Sequence, residues 1–509
     1  MKKIWIFLIL LSTGFAASAQ VELLPSPSEQ EKAELRKLTD SYLTFVNKMS
    51  VPGDPEGKKA STIKFMKEVL AKGDVFTIND IDTTGKTENI KFLVYMNRLA
   101  PFKGGTLKHS IDKASVTYEK MRYDQWRRFY YAEIKATKKL SWIETKKVAD
   151  SLQRDTVTKE VSVSIFVKFE KENGLSKNFR LWSITEPGKM PALPPLEPLQ
   201  KWWLGLDDEW KTLLNKTRKM DAYPRESDLE RLTYQSELNF EKAVFKTYEP
   251  LSAFTNVRKL IISESNINSF EPISKMKSLT YLDISKSQIK NIKGVEKLTK
   301  LEEFYCVGNQ LTSIASVATV VSLVKFNCAE NDLDSIDAVK ELVNLKELNI
   351  SLNIKVKNID AVRNLVNMEK LSFRKIEIKD LTPVQQMKNL VYLDCFNTGI
   401  TSLEPIRNLQ KIFHLDLSNN KVTTLDPIRN YRYVVNLYLN YSSVSDLSVV
   451  DNFYLLRELQ ISGCPQITTL GGVHKLENLV VLKCYYTKIG KDEIQRFKKN
   501  HPNCAITYY

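Results

Sequence analysis

Histidine is scarce: four in 509 residues, at 109, 414, 474 and 501. None stands at a nucleophile or metal-ligand spacing, and no G-x-S-x-G, H-E-x-x-H, phosphate-loop or dinucleotide-binding glycine pattern occurs. Catalysis therefore has no motif to stand on, and neither a cofactor nor a metal is expected. Cysteine is missing before position 306 and never forms C-x-x-C. That excludes a lipid-modified cysteine near the N-terminus and a thiol metal site. Beyond the first 19 residues there is no apolar run long enough to span a membrane. Basic runs interleaved with aromatics are lacking too. The net charge of +15 is spread evenly: residues 251–509 carry 33 Lys+Arg against 26 Asp+Glu, the rest 42 against 34. A solvated basic surface accounts for this better than nucleic-acid binding does.

Met1–Ala19 has the build of a secretory signal. Lys2 and Lys3 are followed by the apolar run Ile4–Leu11 and by the small residues Ala17-Ser18-Ala19. The expectation is an exported chain, periplasmic or extracellular, unanchored by its own sequence.

What is abundant is repetition. Val257, Leu279, Leu301, Leu323, Leu345, Met368, Leu390, Ile412, Val434, Leu456 and Leu479 open eleven rows, eight of the ten intervals being 22 residues and two 23. Within a row, apolar residues fall at positions 1, 4, 6, 11, 14, 17 and 20, as in Leu279, Leu282, Ile284, Ile289, Ile292, Val295 and Leu298. Positions 4 and 6 share one face of a short strand, and the later threefold spacing suits 3₁₀ or short helical turns. No row can bury its apolar side alone, so the rows must stack, their strands forming one parallel sheet. Position 9 holds Asn309, Asn331, Asn353 and Asn420, with Ser265, Ser287, Thr398, Ser442, Cys464 or Thr487 in other rows and Ile376 as the clear departure. Position 16 holds Pro272, Pro383, Pro405 and Pro427 behind Glu271, Thr382, Glu404 and Asp426, which predicts capped convex helices.

The rows resemble the leucine-rich repeat, L-x-x-L-x-L-x-x-N-x-L, in its 22-residue bacterial internalin-like form. The resemblance implies an α/β solenoid with a curved parallel inner sheet and short convex helices. It also implies that the position-9 Asn bonds the turn leaving the strand, and that ligands meet the concave face.

Cys306, Cys328, Cys395 and Cys484 occupy position 6, so buried small apolar residues are expected, with a Cys306–Cys328 bridge left open. Ahead of the rows, Trp202, Trp203, Leu206, Trp210, Leu213 and Leu214 form a helical stripe suited to a cap, and 235–256 is a degenerate row. Ile494, Phe497, Pro502, Cys504 and Ile506 predict a closing helix and strand at 491–509.

Residues 20–186 read as a small α+β domain. Ser28–Met49 and Lys58–Ala71 are predicted helices, Phe129–Trp142 and Glu160–Glu170 strands, and Asn173-Gly174 a hairpin turn into the strand Asn178–Thr185. Ser164 is expected on the outward face. This order of elements resembles an NTF2-like or cystatin-like cone. Five prolines at 187, 191, 194, 195 and 198 mark a linker over 187–200; 201–256 is then the cap and 257–490 the eleven repeats.

Positions 3, 5, 7 and 8 of each row project from the inner curve. Late rows concentrate aromatics there: Tyr392, Phe396, His414, Tyr438, Tyr441, Tyr485 and Tyr486, with Asp394 and Asp416 among them. Such residues serve at binding hot spots, or else stack as ordinary strand-surface residues. The favoured function is an exported, non-enzymatic module that binds a protein or peptide on this face. The acids are expected to select a basic partner, and Gln460, Ser462 and Gly463 to leave a gap in the strip. The alternative is an enzyme or small-ligand carrier with its pocket in the N-terminal domain.

Overall fold

The structure, a computed structural model, describes residues 21–508 except 52, 72–74, 79–88, 100–106 and 150. The proposed signal, Met1–Ala19, lies outside the described residues. The chain divides into two compact units, 1–200 with 221–225, and 201–220 with 226–509.

In the first unit, helix α1 (Glu29–Met49) begins at a capping box: Ser28 Oγ accepts from the Glu31 N–H while the Glu31 carboxylate accepts from the Ser28 N–H. Its buried face is Leu35, Leu38, Tyr42, Phe45, Val46 and Met49. Helix α2 (Pro55–Glu68) starts three residues before the predicted Lys58, because Asp54 caps it and Pro55 fits its first position. It also ends earlier, since Leu70 bridges Leu181 and the Ala71 N–H donates to the Leu181 carbonyl at 2.8 Å. A third helix, α3 (Phe92–Leu99), follows.

The sheet is built from β1 (Val21–Leu23), β2 (Phe76–Ile78), β3 (Asn89–Lys91), β4 (Lys108–Ile111), β5 (Thr117–Tyr118), β6 (Arg122–Asp124), β7 (Phe129–Val148), β8 (Ser151–Glu172) and β9 (Leu175–Thr185), in the order β1-β6-β7-β8-β9-β2-β3 with β4 and β5 on β7. β7 and β8 outrun the predicted segments because pairing continues to Val148↔Ser151 through exposed residues with no apolar alternation. The Asn173-Gly174 turn has positive φ at both residues, 51° and 80°, which suits the twist of the paired strands. Ser164 is not outward but fully buried. Its Oγ donates to the Glu133 carboxylate at 2.7 Å, on a second face where Ala71, Tyr131, Phe166 and Trp182 cluster.

The second unit carries a 13-stranded parallel sheet running from Glu237–Asn239 through the eleven rows to Ala505–Thr507. Position 4 of each row faces position 4 of the next: Leu238, Leu260, Leu282, Phe304, Phe326, Leu348, Leu371 and onward. The two 23-residue rows keep this register because both insert their extra residue just after position 9, between Asn353 and Val356 and between Cys464 and Ile467. Opposite the strands run 3₁₀ turns of three to five residues. The residues before the prolines do not cap them. The cap comes from two residues earlier: Ser402 Oγ accepts from the Glu404 N–H (3.2 Å), Thr424 Oγ1 from Asp426 (3.1 Å) and Asp380 from Thr382 (2.8 Å). Glu404 and Asp426 instead pair with Arg407 and Arg429, one turn on.

Helix Asp208–Thr217 lays Trp210 flat on Phe245 of the degenerate row, ring centroids 4.0 Å apart, with Nε1 donating to the Thr247 carbonyl. At the far end helix Lys491–Asn500 buries Ile494 and Phe497. All six cysteines are free and buried, so Cys306 and Cys328 are unbridged.

Candidate functional site: the open face of the repeat sheet

The polar ladder beneath the sheet fixes the open face. Asn331 Nδ2 donates to the carbonyls of Cys306 (2.9 Å) in the row before and Cys328 (3.0 Å) in its own, while its Oδ1 accepts from the Leu311 N–H (3.0 Å). Asn309, Asn353 and Asn420 repeat the arrangement. Rows without Asn keep part of it: Thr398 Oγ1 bonds the Cys395 carbonyl, and Thr487 Oγ1 that of Cys484. Position 8 of all eleven rows, from Glu264 to Tyr486, has φ between 53° and 72°. This left-handed turn throws the position-8 side chain clear of the sheet.

Asp394 and Asp416 are not free acids offered to solvent. They are 2% and 5% exposed. One oxygen of each closes its own turn, accepting from the Phe396 and Ser418 N–H groups at 3.2 and 2.9 Å. The other oxygen of each meets Arg374 Nη1, at 2.8 and 3.2 Å. The Arg374 guanidinium lies 4.6 Å from the Phe396 ring centre. Burial pushes the Asp416 carboxyl above the usual carboxylate range, against the pull of its hydrogen bonds to Ser418 and of Arg374. A basic partner therefore finds these acids already engaged.

The predicted aromatics fall into two groups rather than one strip. Tyr392 and His414 stack in parallel (4.3 Å, 5°), and Tyr438 meets His414 edge-on (5.1 Å, 88°). Burial raises the Tyr392 hydroxyl to about 12, with Asp394 adding to it, and lowers the His414 imidazole below its ordinary value. Tyr438 donates to Glu458 at 2.9 Å. The second group is Tyr485 against Tyr486 (5.4 Å, 76°). Tyr441 belongs to neither. It is 55% exposed, and its ring covers Gly463, where an added Cβ would come within 2.4 Å of ring carbons. The expected gap at row ten is therefore filled, since glycine removes the side chain that would hold the ring off.

Beside the first group lies a groove of about 400 Å³, reaching from Tyr305 to Tyr392 and Asp394. Lys325, Lys370 and Arg374 line it, with Lys325 and Lys370 each 3.1 Å from Glu303 and Glu347 of the preceding row. In the sequence Lys370, Arg374 and Lys375 only make row six basic; the fold makes Arg374 the residue that organises the site. The signal was an arginine at position 7 followed by acids at position 5 of the next two rows. Among the described residues, no group of three or more His, Cys, Asp or Glu is placed to hold a metal ion, and no helix is long and apolar enough to cross a membrane.

The leucine-rich repeat family (two-copy form) matches residues 277–319. No curated protein matches the chain. In fold it is similar to an internalin, InlF, of Listeria monocytogenes (21% identity, TM-score 0.54, covering 61% of this chain and 90% of that one). It is similar also to a leucine-rich repeat protein of Leptospira interrogans (24%, 0.50, covering 55% and 74%). The third is the functional domain of InlJ from Listeria monocytogenes, described as including a cysteine ladder (23%, 0.51, covering 61% and 70%). The second unit is thus a leucine-rich repeat solenoid, similar in fold to the internalins, preceded by a separate α+β unit.

Proposed function

We propose that the chain is an exported recognition module that binds an extended protein or peptide segment across the open face of its repeat sheet. Tyr392, Phe396, His414 and Tyr438, together with Arg374, form the central contact; Tyr441, Tyr485 and Tyr486 flank it, and Asp394 and Asp416 hold Arg374 in place. The observation that carries this reading is the Tyr392–His414–Tyr438 stack at the edge of a groove of about 400 Å³. Rings held by their neighbours lose little freedom on binding, and aromatic and arginine anchors dominate such interfaces. Export rests on the Met1–Ala19 pattern, and the absence of catalytic function on the absence of any motif.

The test is affinity capture with the full chain from the extracellular or periplasmic fraction, repeated with Tyr438→Ala and Phe396→Ala. Each truncation is expected to weaken a captured partner by about 1–3 kcal/mol. Unchanged affinity in both variants, with the fold intact, refutes the assignment of this face.

A further inference from the structure

The first unit holds a cavity that the recognition reading leaves unused. Helix α1 is tied to the strands beside it at two separated points. Near its end, Asn47 Nδ2 donates to the His109 carbonyl (2.8 Å), Asn47 Oδ1 accepts from the His109 N–H (2.6 Å), and Ser50 Oγ donates to the Leu107 carbonyl (2.8 Å). Near its start, Arg36 Nε donates to the Tyr118 hydroxyl at 3.2 Å. Eleven residues of helix separate the ties, about 16 Å at 1.5 Å per residue. Between them a cleft of about 770 Å³ opens, in the range of small-ligand sites.

Its walls differ in character. The helix side presents Thr39, Asp40, Leu43 and Thr44. The floor is apolar and buried: Ile134 and Ala136 of β7 and Ile165 of β8. Arg36, bonded to the Tyr118 hydroxyl and 3.5 Å from Glu29, stands at one end; Lys113 lines the wall between β4 and β5, and Asp40 is the one acid among the described lining residues. His109 stands toward the other end. Alternation along β4 turns it inward while Lys108 and Ser110 stay exposed. It is 3% exposed, and neither ring nitrogen has a hydrogen-bond partner. Burial, and secondly the charge of Lys138, pull its imidazole down to about 2, so it is neutral in the folded protein, with one donor and one acceptor. Lys138 itself is held between the Tyr42 and Tyr95 hydroxyls, at 3.1 Å each. A buried polar side chain with both functions unmade is rare in a settled core. Lining a cleft with an apolar floor and a basic far end, it marks where a ligand's polar group belongs.

We propose that this cleft binds an elongated amphipathic anion of the acyl-carboxylate class. The carboxylate lies toward Arg36, the chain runs over Ile134, Ala136 and Ile165, and a hydroxyl at the far end bonds His109. The site is independent of the open face of the repeats.

The test is calorimetric titration of the full chain with ω-hydroxydodecanoate, dodecanoate and dodecyltrimethylammonium, with the His109 ring nitrogens followed by NMR. Both anions are expected to bind, the hydroxylated one more tightly and with a shift of the His109 signals, and the cation not to bind. Arg36→Gln should weaken both anions about tenfold. His109→Phe should abolish the preference for the hydroxylated chain while dodecanoate still binds. Leu43→Trp, on the half-buried helix wall, and Ala136→Phe, on the floor, should each block the cleft, with circular dichroism confirming the fold. Should Ala136→Phe fail to fold, Leu43→Trp decides alone. Failure of both anions to bind, equal binding of the cation, or undiminished binding in a folded, cleft-filled variant overturns the proposal.

Discussion

The two units treat buried polar groups in opposite ways. Under the repeat sheet the buried Asn side chains are uncharged and repeat at one position, each meeting backbone from two successive rows. Inside the first unit the buried polar groups include titratable ones: Lys138 between two tyrosines, Glu133 with Ser164, and His109 with neither nitrogen bonded. The difference teaches where each unit can respond to its surroundings. A ladder of satisfied amides offers nothing to protonate and holds its geometry at any pH. A core with a buried imidazole beside a cleft is sensitive both to acid and to a bound molecule.

The comparison breaks hardest at the ladder's apolar partner. Leu348, 2% exposed, packs between rows. Leu348→Asp should cost about 4 kcal/mol or more by placing an unpaired charge there. Because each row leans on its neighbours, melting followed by circular dichroism should show several rows lost together. A melt close to the parent's contradicts the stacking. Next is Asn331→Ala, which leaves the Leu311 N–H without its buried acceptor and takes one of two amide donors from each of the Cys306 and Cys328 carbonyls. Denaturant unfolding should register a loss of about 2–4 kcal/mol, against about 1 for Thr398→Ala, whose hydroxyl supports fewer bonds.

Arg374→Met probes the two buried acids of the repeat unit, Asp394 and Asp416. It leaves Asp394 and Asp416 buried without their counter-ion and should cost about 1–3 kcal/mol at neutral pH. The Asp416 carboxyl, already raised by burial and now without the opposing pull of Arg374, is then more easily protonated in the fold than in the unfolded chain. The deficit against the parent should therefore shrink as pH falls through the carboxylate range. A deficit independent of pH contradicts the pairing.

His109 gives the first unit its acid sensitivity. Its folded pKa, about 2, lies below the unfolded value near 6.5, so the unfolded chain binds one more proton between them. Its contribution is fully present above about 6.5 and lost on acidification, by about 1.4 kcal/mol for each pH unit below that. His109→Phe should flatten the stability–pH curve there by about that slope, and parallel curves would refute the assignment. Smallest of all, Lys293→Ala, on the side away from the strands, should change neither stability nor partner binding by more than about 0.5 kcal/mol.

Most of the second unit could be read before any coordinate. Leu348, Leu371 and Leu393 fall into register because a repeat of fixed length makes sequence position equivalent to place in the stack. Even the longer rows obey, since their extra residue enters the one loop that can bulge without moving a strand. Little of the first unit was legible in this way. The outer halves of β7 and β8 carry no alternation, and Ser164 and Phe166 look outward until a second cluster covers them.

The sequence by itself determined the rows, the strand faces, the ends of α1 and the buried cysteines. Those follow from local spacing, which chain geometry converts directly into a face. Only the tertiary structure decided that Arg374 neutralises Asp394 and Asp416 across two rows, that the Tyr441 ring fills the place glycine leaves at 463, and that a cleft opens beside α1 between Arg36 and Asn47. Each of these joins residues 20 or more apart in sequence, or depends on how far a side chain reaches. Neither periodicity nor composition carries that distance.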